Sequence, residues 1–86
     1  MQPTSVTVVS QLITDARTRF GAHEVEAVAV DGELLDETMD HVLTMGGDVA
    51  TDTCIVDGVE VRELPPDQDT PLAYVKGEDE PKPLGT

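Results

Sequence analysis

The residues best placed to do chemistry fall into three groupings, and each stops short of a site. Glu37 and His41 lie four apart with Asp40 beside them. On a helix that spacing puts both on one face, but a zinc site takes three or four ligands. The pair reads as a surface pair one helical turn apart. Asp48, Asp52 and Asp57 resemble a calcium loop until the positions are counted. From Asp48, the third position is Ala50, the sixth Thr53 and the twelfth Val59, where an EF-hand needs an acid or amide, a glycine and a glutamate. What remains is weak, unspecific attraction of cations. Cys54 with His23 or His41 is the one cysteine–histidine pairing available for a nucleophile.

The remaining polar motifs are weaker still. Ser5 and Ser10 have no base near them in sequence, and Gly46-Gly47 follows a helical stretch instead of preceding one, the wrong order for a phosphate cradle. His23 reads as a loop histidine. The expectation is a chain that is not an enzyme, with no catalytic residue, no cofactor and no specific metal.

The elements that position these residues can be read from periodicity. Val6, Val9, Ile13, Ala16 and Phe20 recur at spacings of three and four, widened by Val8 and Leu12, and predict a helix over 5–20. The β-branched cluster from Val6 to Ile13 favours a strand instead. A cap at Thr4 or Ser5, Gly21 at the far end and the length of the stripe decide for helix. The valine-rich stretch 24–30, closed by Asp31-Gly32, predicts a strand. A second helix follows over 33–45, with acids in its first turns and Gly46-Gly47 after its last.

Asp57-Gly58 between two β-compatible runs, 51–56 and 59–64, predicts a two-residue type I′ hairpin. Pairing Val56 with Val59 places Ile55 opposite Glu60, Cys54 opposite Val61 and Thr53 opposite Arg62. Cys54, Val56, Val59 and Val61 then share an apolar face, and Thr53, Ile55, Glu60 and Arg62 a largely polar one. On that face Cys54 is a small hydrophobe, not a nucleophile. The expected fold is a small α+β domain of order α-β-α-β-β over residues 1–64, its three-stranded sheet packed on two helices.

Beyond Leu64 the composition changes. Five of the six prolines (Pro65, Pro66, Pro71, Pro81 and Pro83) and a run of acids predict an extended arm over 65–86 that has no core of its own. Removing residues 66–86 is accordingly expected to leave the body folded. Leu72, Ala73, Tyr74 and Val75 form an apolar island able to add as a strand to an exposed edge, and with Pro65, Pro66 and Pro71 they are the expected partner-binding residues.

Composition bounds the function. The chain of 86 residues carries 18 Asp and Glu against 5 Lys and Arg, a net charge of −13. Phosphate contacts each require a cation, so direct nucleic-acid binding is not expected, nor is an anionic membrane surface. The absence of a long apolar run predicts neither a membrane helix nor a signal peptide, and hence a cytoplasmic protein or part of a particle assembled there. Few lysines, few aromatics and acids scattered along every segment suit a saline environment, where salt screens repulsion within about 3 Å at molar strength. The expected role is a non-catalytic protein-interaction subunit, homo-oligomeric or bound to another protein, accessory to a larger assembly such as a virus particle. It would dock through the arm and a sheet edge. The alternative is an acidic mimic of nucleic acid that blocks a DNA- or RNA-binding protein.

Overall fold

The computed structural model describes residues 4–84, so residues 1–3 of the expected body and 85–86 of the expected arm lie outside the described residues. The apolar stripe after Thr4 is helix α1 (Ser5–Phe20). The Thr4 hydroxyl accepts the Thr7 N–H at 3.2 Å, supplying one of the partners that first-turn amides lack. Val9, Ile13 and Ala16 are buried, a spacing that only a helix turns to one side. Gly21, at φ 108°, closes the end by donating its N–H to the Arg17 carbonyl.

Strand β1 (Val25–Val30) follows and is buried everywhere except at Glu26. Helix α2 (Gly32–Thr44) is capped by Asp31, whose carboxylate accepts the Leu34 N–H at 2.9 Å. Leu35, Thr38 and Val42 face inward, and the buried Thr38 hydroxyl is satisfied by the Leu34 carbonyl at 2.8 Å. At its far end Gly46 (φ 80°) donates to the Leu43 carbonyl and Gly47 to that of Val42, a Schellman closure. A Cβ on Gly47 would come within 2.7 Å of the Val42 side chain, so this closure admits no larger residue without displacing Val42.

The hairpin keeps the predicted register over three pairs, but the expected Thr53–Arg62 pair does not form, because Thr53 lies outside the strand and its carbonyl accepts the Ala50 N–H. β2 (Cys54–Val56) and β3 (Val59–Glu63) pair Cys54 with Val61, Ile55 with Glu60 and Val56 with Val59. Asp57 (φ 52°) and Gly58 (φ 78°) both occupy the left-handed region that a type I′ turn requires. The turn is also held from outside, because Ser10 donates to the Asp57 carboxylate and Arg17 to its carbonyl, both from α1.

The expected three-stranded sheet and free arm are corrected. β4 (Leu72–Val75) pairs antiparallel with β1, and β5 (Lys82–Pro83) antiparallel with β4, giving a mixed five-stranded sheet in the order β2-β3-β1-β4-β5. The β1–β3 pair is parallel. The physical reason is burial: Leu72 and Ala73 are buried, and Leu84 is only 2% exposed within the main core. Two backbone bonds fasten the segment, from Lys76 N–H to the Glu24 carbonyl and from Leu84 N–H to the Pro71 carbonyl, each at 2.7 Å. The prolines bound these short strands without preventing them. The class remains α+β, with two helices on one face of the sheet.

Candidate functional site

Both helices pack on the sheet face that carries Val28, Val30, Cys54, Val56, Val59, Val61 and Ala73. The ladder slips by one residue between Val25 and Ala27, and this bulge at Glu26 turns Val25 toward the same core. Among the described residues no helix packs on the opposite face. The register puts Ile55, Glu60, Ala27 and Tyr74 in one row across it, and Arg62, Ala29, Leu72 and Pro83 in the next.

The centre of this face is low. Ala27 and Ala29 alternate with Val28 and Val30 along β1, leaving a trough that longer neighbours close. The Arg62 guanidinium lies 4.9 Å from the centre of the Tyr74 ring and pairs with Glu60. Ala29, Leu64 and Leu72 form a second small apolar cluster with Tyr74 packed on it. Both alanines are fully buried by these groups, while Ile55 stays 40% exposed at the edge. A carboxylate, a guanidinium, a phenol and an exposed aliphatic side chain thus share one uncovered surface.

The residues singled out in the sequence are dispersed. Glu37, Asp40 and His41 are exposed on α2, and His23 is exposed in the turn before β1. Asp57 is tied to Ser10 in the hairpin, while Asp48 and Asp52 are exposed in the segment before it. Among the described residues no cluster of three or more His, Cys, Asp or Glu is arranged to hold a metal ion. Leu72, Ala73, Tyr74 and Val75 do add to a strand edge, and that edge is the chain's own β1. Pro65 and Pro71 are half-buried and Pro66 exposed in the connection between β3 and β4.

The sheet edges are likewise closed. Beside β2, Val49 bridges to Cys54 and the Ile55 N–H donates to the Asp48 carbonyl. At the other side β5 is two residues long and contains Pro83, a combination that blunts pairing with another chain.

Cys54 is fully buried, and burial raises its thiol above the ordinary 9.0. The folded state therefore holds the proton more tightly than the unfolded chain. This stabilisation is complete below the unfolded value and is lost as pH climbs through the folded one. A thiol reagent is expected to modify Cys54 only at the rate of unfolding. The melting temperature should fall more steeply above about pH 9 in the native protein than in Cys54→Ala. Rapid modification of the native fold would show the thiol to be accessible.

The sequence reading missed the pairing of Arg62 with Tyr74 across β1. The signal that was available is the small–large alternation Ala27-Val28-Ala29-Val30, which marks one side of a central strand as needing cover from its neighbours. The chain matches no protein-family model, no curated protein and no solved structure. Among the described residues, no helix is long and apolar enough to cross a membrane.

Proposed function

We propose that the protein is a small, acidic, non-catalytic interaction subunit of a larger assembly in a saline setting, docking through the helix-free face of its sheet. The observation that carries this reading is the composition of that face. It is a continuous surface of Ile55, Glu60, Arg62 and Tyr74 over a sheet whose helices all lie on the other side. Arginine and tyrosine are enriched at protein interfaces, because each combines a flat apolar body with hydrogen-bonding capacity. The blunted edges direct contact to this face and away from strand addition.

Photo-crosslinking in extract of the source cells tests the reading. A crosslinking amino acid at Ile55 is expected to yield discrete adducts, and the same group at Gln11 on the outer surface of α1 is expected to yield none. Equal labelling from both positions, or no discrete adduct from Ile55, would overturn it.

A further inference from the structure

We infer that the groove between the start of α1, the end of α2 and the hairpin takes a cationic segment of another protein, one large apolar side chain flanked by lysine or arginine. This surface is separate from the helix-free face and stands independently of it, although Ile55 on the edge strand borders both. The groove has a volume of about 260 Å³ and is walled by Val6 of α1, Val42 and Met45 at the end of α2, and Val56 and Asp57 of the hairpin. Three large apolar side chains are exposed among the described residues, Leu43, Met45 and Ile55, and the last two line this groove. Met45 is 65% exposed, so apolar surface stays in water here that a partner's side chain would cover. A Cβ added at Gly46 would meet nothing within 4 Å, so the end of α2 leaves the groove open.

Charge selects the occupant. No lysine or arginine lines the groove, whereas Asp57 does. Asp48 directly follows the Gly46-Gly47 wall and Asp40 lies one turn before Thr44 on α2, both exposed. Arg17, the cation that touches the hairpin turn, donates to the Asp57 carbonyl. Helix α2 also ends at this wall, and the partial negative charge of a helix C-terminus favours a cation there. The start of α1 on the other side carries the opposite partial charge, answered by its Thr4 cap.

A bound segment would therefore set its apolar side chain between Val6 and Met45 and a cation on the α2 side, beside Asp48. A second copy of this chain, at a net charge of −13, is the wrong partner on the same grounds. At molar salt, where screening acts within about 3 Å, the long-range pull is lost and direct contact of a cation with Asp48 survives.

The probe is a pentapeptide of one phenylalanine with two lysines on either side, acetylated and amidated to remove terminal charges. Amide spectra of the full chain are followed up to about 5 mM peptide, a range suited to millimolar affinity, in about 0.5 M salt to suppress unspecific attraction. Shifts are expected at Met45, Gly46, Gly47 and Val56. Peptides with glutamate for lysine, or alanine for phenylalanine, should leave these amides unmoved. Met45→Asp should weaken binding at least about fivefold by removing the apolar wall, although it adds a negative charge. Asp48→Asn should weaken it about two- to fivefold, while Asp67→Asn, which removes the same charge after β3, changes nothing. The dispersion of each variant's own spectrum shows that it is folded. Shifts spread over the acids of the whole surface, equal binding of the glutamate peptide, undiminished binding to Met45→Asp, or no shift at all overturns the inference. Self-association of the chain that Met45→Asp abolishes, with no peptide bound, would give the groove to a second copy and overturn it as well.

Discussion

Truncation after Pro65 is expected to unfold the protein. That segment carries β4 and β5, and β4 covers the whole of one side of the central strand. Without it, β1 loses its antiparallel ladder and the core loses Leu72, Ala73 and Leu84. At about 2–3 kcal/mol for each fully buried leucine, and more from the ladder and the half-buried Tyr74, the loss is on the order of 5 kcal/mol or greater. An 86-residue domain has roughly 4–13 kcal/mol in total, so the loss is comparable to the whole stability. Circular dichroism and amide dispersion of the truncated chain are the measurements. Leu84→Ala, which removes one anchor, should cost about 2–4 kcal/mol and lower the midpoint of denaturant unfolding while the fold survives. A truncated chain with native dispersion would restore the separate arm.

The second large effect is that of salt. With a net charge of −13, repulsion among the acids opposes compaction in dilute buffer. Few counter-charges are free to offset it: Arg19, Arg62 and Lys82 are paired with Asp15, Glu60 and Glu78, and Arg17 is committed to the Asp57 carbonyl. Screening is expected to recover about 2–3 kcal/mol, which in a domain this small raises the melting temperature by about 10–20 °C between dilute buffer and molar salt. Scanning calorimetry in sodium chloride measures this directly. An unchanged midpoint would remove the saline reading of the composition.

How far the sequence went depended on the length of each pattern. Helices α1 and α2 and the hairpin were legible because each combines an apolar pattern with specific terminal residues: Thr4 and Gly21 for α1, the acids from Glu33 and then Gly46-Gly47 for α2, Asp57 and Gly58 for the hairpin; the Asp31 cap emerged only in the structure. The three-pair register from Val56–Val59 to Cys54–Val61 followed from the two-residue Asp57-Gly58 turn, with the apolar–polar alternation agreeing. β4 and β5 were obscured because four residues and two residues hold too few periods to stand out against prolines and acids. Their order arises from tertiary contact, as Leu84 illustrates: an isolated leucine among prolines carries no local signal, yet it fills a place in the core. The recognition face was half legible. Glu60 and Arg62 were assigned correctly to the polar side, whereas Tyr74 could join them only once β4 was known to lie across β1.

The position of β1 has a consequence for biosynthesis. It is made early, but its two neighbours come from residues 59–63 and 72–75, so every pairing it forms spans at least about 30 positions. A nascent polypeptide can cap both helices while its middle strand waits, apolar on each flank, for the last dozen described residues to clear the ribosome. During that interval the exposed valines are vulnerable to capture by other chains, and the dense negative charge carried by α2 and the hairpin keeps emerging copies apart.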